Sequence, residues 1–188
     1  ALSGTESGET VFPTPIPPLP PEGFVLGASV QSAQLAAQSD WNFIFAAHLN
    51  GDKALLHDVL SFWQTHSARP TIVAVQVIVA DSYDTAAQLA ENVQIWGVEL
   101  EDGQRVTVAS EEQALAFAAQ SGSPPRKIAR REQALLHGTA QEVMAKLNAL
   151  HTQFGIDEFI IDTPVAQGHA RLTSLRLLAQ AHNAVEVL

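Results

Sequence analysis

Residues 24–41 read FVLGASVQSAQLAAQSDW. Phe24, Val25 and Leu26 form a short apolar run of the kind that makes a buried strand. Gly27, Ala28 and Ser29 follow with little side-chain bulk, and the residues from Gln31 to Gln38 favour helix, with Leu35 and Ala36 available to pack. A strand therefore ends in a small-residue turn and a helix starts at once. The start of a helix presents N–H groups without intrahelical partners and the positive end of the helix dipole, which suits a phosphate. Ser29 and Ser32, three residues apart on the first turn, add two hydroxyls there. A serine in that place is equally an ordinary N-cap, which needs no ligand. Both readings stand at this point.

The same alternation continues downstream. NFIFAAHL at 42–49 reads as a second buried strand, with Phe43–His48 as its body. Asn50-Gly51-Asp52 is a turn with Asp52 as a candidate N-cap, and Leu55, Leu56, Val59, Leu60 and Trp63 recur at helical spacing to about His66. IVAVQVIVA at 72–80 is rich in β-branched residues and almost continuously apolar, as a strand covered on both faces reads. Asp81 or Ser82 can cap a helix carrying Ala86, Leu89, Ala90, Val93 and Trp96. The rhythm resumes at 134–138. Thr139 and Glu142 make a capping box, Gly155 ends that helix, EFIID at 158–162 is the last strand, and a final helix spans about 169–182.

Two stretches break the pattern. Residues 1–23 are polar and then proline-dense, an extended approach segment or linker with polyproline II character. Residues 97–132 hold a hairpin signal at Glu101-Asp102-Gly103, a small helix near 111–119 and the turn SGSPP. An excursion of that length is expected to be a lid, a binding loop or a disordered segment. Its Arg126, Lys127, Arg130 and Arg131 are either a solvated face or a group that closes on an anion.

Composition sets outer bounds. The 188 residues suffice for one domain with a real core. A net charge of −10 argues against a nucleic-acid partner. With no cysteine there are no disulfides and no thiolate-ligated zinc, and no eighteen-residue apolar run predicts a membrane span. The absence of a visible secretory signal fits a cytoplasmic location. No histidine pair has helical metal-site spacing with an adjoining carboxylate, so no metal is expected. Two architectures fit the strand–helix order: an open doubly wound sheet, or half of an eight-stranded α/β barrel, since a complete barrel needs about 250 residues.

Four features in order resemble the flavin-dependent bacterial luciferase-like monooxygenase family. They are the strand-to-helix turn Gly27-Ala28-Ser29-x-x-Ser32, the following strand Phe43–His48, the run VAVQVIVADS ending at Ser82, and His137-Gly138-Thr139 through Val143 followed by Gly155–Phe159. The match spans about residues 18–181 and corresponds to the C-terminal half of the family's (β/α)8 TIM barrel, about four βα units, here with a long insertion. The resemblance implies FMN as cofactor, its phosphate held by Gly27, Ala28, Ser29 and Ser32, and a small organic substrate. It implies a flavin reductase to supply the reduced form, and a complementary N-terminal half-barrel on this or another chain, with homo- or hetero-oligomers as one solution. A non-catalytic flavin-binding or structural protein on the same half-barrel, or a relative using the deazaflavin F420, is the alternative.

His48, at the C-terminal end of its strand, is the candidate catalytic residue, against an ordinary histidine satisfied in a loop. Asp162 and Thr163 end the last strand and either cap a turn or line the pocket. Trp41, Trp63 and Trp96 are expected in the core or an interface. In the half-barrel reading the four strands 24–28, 43–48, 72–80 and 158–162 lie parallel and adjacent. All helices then cover one outer face, and the inner face carries residues such as Val25, Phe45 and Val75.

Overall fold

The computed structural model describes residues 18–19, 21–49, 52–131 and 134–185. In chain order its elements are β1 (Phe24–Gly27), α1 (Val30–Gln38), β2 (Asn42–Ala46), a 3-10 turn (Ala47–Leu49), α2 (Lys53–His66), β3 (Ile72–Val79), α3 (Tyr83–Glu91), β4 (Ile95–Leu100), β5 (Arg105–Val108), α4 (Glu111–Gln120), β6 (Pro125–Arg131), β7 (Leu135–Gly138), α5 (Ala140–Phe154), β8 (Glu158–Asp162) and α6 (Gly168–Val185). Most of residues 1–23, and Asn50-Gly51 of the expected turn, lie outside the described residues; Asp52 does cap α2.

The main sheet is parallel and assembled on β3. β1 pairs with β2, and β2 pairs with Ile72–Ala74 of β3. β8 pairs with Ile72–Gln76 and β7 with Gln76–Val79. Because Ile72–Ala74 bonds β2 and β8 together, these two must flank β3 on opposite sides. Gln76 likewise pairs with both Leu135 and Asp162, so β7 lies opposite β8, on the β2 side. One edge of β3 is thus shared between two strands, β2 along its first half and β7 along its second. The backbone bonds agree: Ala80 N–H donates to Gly138 O, while Val79 N–H points the other way, past the end of β8, and donates to Ser174 Oγ of α6 at 2.8 Å.

Register decides which side chains share a face, since partners in parallel strands point the same way. Val25, Phe43, Phe45, Val73, Val75, Val77 and Val79 face the helices and form the main core with Ala33 and Ala36 of α1, Leu60 and Trp63 of α2, Val143 and Leu147 of α5, and Leu178 of α6. Trp63 packs its ring against Phe43 with centroids 5.6 Å apart and donates its indole N–H to Pro70 O. The expectation that Val25, Phe45 and Val75 face inward is therefore reversed. The opposite face carries Phe24, Leu26, Ile44, Ile72, Ala74, Gln76, Ile160 and Asp162. On it Phe24, Leu26 and Ile160 are 48%, 57% and 40% exposed.

The four expected strands do lie parallel in one sheet, but β7 joins them and one helix changes face. From β3 the chain returns to the β2 side, and a right-handed crossover in that direction must run over the opposite face. α3 does so: Ala86, Leu89 and Ala90, with Val93 just beyond the helix end, pack on Ile78, Ala80 and Leu135, while Trp96, expected on the same helix, stands in β4 because the helix stops at Glu91. The helices consequently do not all lie on one side. The second strand also ends earlier than expected, at Ala46, where the chain tightens into the 3-10 turn that holds His48.

Residues 97–131 are not an open loop. β4 is the centre of a three-stranded antiparallel sheet in the order β5-β4-β6, with α4 across one face. Trp96, Val98, Leu100, Val106, Val108 and Ile128 meet Ala114, Phe117 and Ala118 of α4 in a separate small core. The hairpin and the helix were readable from their turn and cap residues. β6 was not, because PRKIARR has too many charges to read as a strand. It is an edge strand, where exposed Arg126, Lys127 and Arg130 are compatible with pairing on one side only. On the uncovered face the Arg105 guanidinium bonds the Glu99 carboxylate at 2.9 Å. That bond and the Arg105 charge, helped by Arg126 and Lys127, hold the Glu99 pKa below its usual range.

Ser174 is buried, and its hydroxyl takes the place of the strand that Val79 N–H lacks on that side. Ser174→Ala should lower unfolding stability by about 1–3 kcal/mol, the cost of leaving a buried N–H unpaired. Chemical denaturation followed by circular dichroism measures it. A change within about 0.3 kcal/mol would mean that Val79 N–H finds another partner.

Candidate active site

All five strands of the main sheet point the same way, so the turns leaving their C-terminal ends gather on one rim. In open α/β sheets ligands bind on that rim, at the place where connections leave neighbouring strands toward opposite faces. Here β2 and β3 are neighbours, α2 lies on the main-core face, and α3 lies on the other. The crevice between the ends of β2 and β3 is such a switch point, and β7 enters it from beside β3.

The turn Gly27–Ser32 sits on this rim at the end of β1. Ser29 caps α1 in extended backbone, φ −148° and ψ 157°, and its Oγ accepts the Ser32 N–H at 3.2 Å. The two hydroxyls are 2.9 Å apart and share a hydrogen bond, so one of the two O–H groups is spent inside the turn and the other is free to donate outward. Val30 and Gln31, the first two residues of α1, direct their N–H groups along the helix axis by the geometry of a helix start. Gly27 allows the approach: a Cβ at that position would lie 2.4 Å from Ser32 Cβ and 2.5 Å from its Oγ. Ala28 is partly buried against the core and supplies no donor side chain. The cap reading thus holds for Ser29, and the turn retains donors for an anion.

Three buried side-chain atoms without a hydrogen-bonding partner lie at the C-terminal ends of three strands. They are His48 Nδ1 in the turn after β2, His137 Nδ1 in β7, and Thr163 Oγ1 just after β8. Buried polar groups are normally paired, and three exceptions at one end of a sheet fit a surface that meets a ligand. Asp162, beside Thr163, is engaged instead: its Oδ2 accepts from Gln76 Nε2 at 2.9 Å. In the sequence His137 is marked only by the motif His137-Gly138-Thr139. The available signal was a histidine placed just before a glycine and a capping box, a position that ends a strand.

The end of β7 is held firmly. Gly138 has φ +146°, which glycine alone adopts without strain, and Glu142 lies where a Cβ would project. Glu142 Oε2 accepts the Thr139 N–H at 2.8 Å and the Thr139 hydroxyl at 2.9 Å, completing the capping box. Those bonds, the N–H first, keep the Glu142 pKa below its usual range. Lys146 Nζ donates to His137 O at 2.8 Å.

Two further histidines and the three tryptophans have other surroundings. His66 stacks on Phe62 with ring centroids 4.1 Å apart, and His151 Nδ1 is 2.6 Å from Ile156 O. Trp63 is core, Trp96 belongs to the small core and Trp41 lies beside Gly23. A concavity of about 260 Å³ between α2 and the end of α5 lies at the opposite end of β3 from the rim. Its Gln64 amide is already bonded to Phe154 O, Gly155 O and Thr71 Oγ1. No group of three metal-ligating side chains occurs among the described residues, and no helix there is long and apolar enough to cross a membrane.

No family model matches the chain. Over 162 residues it is 30% identical to the N-acetyl-S-alkylcysteine monooxygenase of Bacillus subtilis (strain 168), which covers 84% of the chain and 48% of that protein. The chain spans about half the length of the curated relatives it matches. Among solved structures, apo-MsnO8 superimposes with a TM-score of 0.64 at 20% identity, covering 97% of this chain and 57% of that one. Flavoprotein 390 does so with a TM-score of 0.53 at 12% identity, covering 90% of this chain and 68% of that one. The chain shares their fold.

Gly27→Ala should drive a methyl group into Ser32 and displace the first turn of α1. The expected cost is about 1–3 kcal/mol of stability, as for overpacking elsewhere. Thermal unfolding of the variant tests this, and an unchanged midpoint would show that the turn has room to spare.

Proposed function

We propose that this chain is the cofactor-phosphate half of a flavin-dependent monooxygenase, acting on a small organic substrate with FMN as the cofactor. The observation that carries the proposal is the turn at Gly27–Ser32: a helix start with a free hydroxyl and free N–H groups, on the same rim as three unpartnered buried polar atoms. The 30% identity to a monooxygenase supports the reaction class, and likeness to a protein named as a flavoprotein supports the cofactor. The luciferase-like family is the finer reading, resting on the order of the sequence motifs.

In this reading Ser29, Ser32 and the N–H groups of Val30 and Gln31 hold the FMN phosphate. Gly27 and Ala28 keep the turn small enough for the anion to approach backbone. His48 lies on the rim with a polar atom to offer the flavin or the substrate. When bound, a reduced flavin supplied by a separate reductase would provide the dioxygen chemistry of a monooxygenase. The chain's own part is to anchor the phosphate, orient the ring and close one wall against water.

The open sheet face argues for a partner. Phe24, Leu26 and Ile160 stand exposed on it and Ile44 is partly so, and both β1 and β8 are edge strands. At about 25 cal/mol per Å², covering roughly 800 Å² of such surface gives about 20 kcal/mol as an upper bound. A complementary half with four strands, making a (β/α)8 barrel with this one, supplies that cover in the proposal, on this or another chain.

Two measurements test this reading. Ser29→Ala combined with Ser32→Ala should weaken FMN by about 1–3 kcal/mol and leave riboflavin, which lacks the phosphate, nearly unaffected. Equal losses for both ligands would point to a damaged helix start rather than a phosphate contact. Residues 1–188 expressed alone should associate or aggregate in size exclusion with light scattering. A cooperative, freely soluble monomer would remove the need for a complementary half.

A further inference from the structure

The switch-point crevice contains a side chain that the phosphate turn does not explain. His137 has its main chain fixed on every side. Lys146 Nζ holds its carbonyl, Gly138 O receives Ala80 N–H, and the Thr139–Glu142 capping box locks the next residues. Its imidazole, by contrast, buries Nδ1 without a partner. In the register of β7 on β3 it faces the same way as Ile78, toward α3 and away from the main core. There the ring of Tyr83, the first residue of α3, tilts over it with centroids 5.5 Å apart and planes at 48°. His48, on the β2 side of the same crevice, also buries an unpartnered Nδ1.

A fixed backbone carrying an unsatisfied ring is the reverse of what folding alone favours, because a buried polar atom left unpaired costs stability that a small apolar residue would not. The aromatic neighbour adds a second property. Tyr83 is about half exposed, so the crevice presents an aromatic face beside an imidazole whose unpartnered Nδ1 lies buried just beneath it. That combination suits a flat ring with polar groups on its edge. β7 and β2 share one side of β3, and β1 lies next to β2, so the phosphate turn and His137 belong to neighbouring positions on one rim.

We propose that His137 is a ligand-binding residue whose Nδ1 hydrogen-bonds the polar edge of the flavin ring, with Tyr83 packed beside it. This rests on the flavin reading above and extends it from the phosphate to the ring. A neutral imidazole carries one N–H. A ring carbonyl at Nδ1 selects the Nδ1–H tautomer, and a ring N–H selects the other.

The test uses the full-length protein with 15N-labelled histidine and two probes, FMN and riboflavin. Adding either should shift the His137 ring nitrogens and fix one tautomer. His137→Phe should weaken both flavins by about tenfold, the loss of one hydrogen bond, because the contact is to the ring they share. His137→Asn, which keeps a polar atom near the Nδ1 position, should stay within about threefold of the wild type. The phosphate-turn variants have a different signature, since they separate FMN from riboflavin.

Wild-type protein that binds FMN with unmoved His137 resonances overturns the proposal while leaving the phosphate reading intact. Equal affinities for His137→Phe and wild type overturn it as well. Wild-type protein that binds neither flavin overturns both. The resonances are read on unsubstituted protein, so an unstable variant does not decide the outcome.

Discussion

The double use of one edge of β3 governs the arrangement of the molecule. A strand has two hydrogen-bonding edges, and each ordinarily serves one neighbour. Here β8 occupies one edge, and β2 and β7 divide the other between them. β2 must therefore stop after Ala46, and the chain tightens into a 3-10 turn at the height where β7 begins. Because β7 lies on the β2 side, the crossover from β3 reverses direction and α3 moves to the opposite face. The crevice, with His48 on one side and His137 with Tyr83 on the other, follows from that reversal.

The fold and the rim were legible in the sequence to different degrees. Phe24–Gly27, Ile72–Val79 and Glu158–Asp162 declare themselves as strands because short β-branched or apolar runs are bounded by small or polar residues. Ser29, Asp52, Ser82 and Thr139 all cap the helices expected of them, since the cap is a local hydrogen bond between residues three or fewer apart. Facing is different. Val25 and Phe24 are both apolar, so the sequence alone does not say which turns toward the helices, and a one-residue error in phase inverts the entire face. Leu135–Gly138 was hidden for another reason: four residues give too short a pattern to separate strand from turn.

At the rim, the serines were readable because their role depends on adjacent residues. His137 was not, because its significance lies in what fails to reach its Nδ1, and an absent partner leaves no trace in local sequence. The small sheet shows the same limit. Its centre strand Ile95–Leu100 is apolar at alternate positions, but the charged edge strand Pro125–Arg131 takes its conformation from β4 rather than from its own composition.

The small sheet also leaves the molecule electrically lopsided. Residues 95–131 hold five basic and five acidic side chains, so they are neutral as a group, and the whole net charge of −10 belongs to the rest of the chain. The basic members are concentrated on one outer strand, which makes that end the positive pole of a permanent dipole moment. In a diffusional encounter such a moment acts as a torque, turning this end toward a negatively charged body and the main sheet away from it. The torque fades once ionic strength shortens the screening distance below about 10 Å.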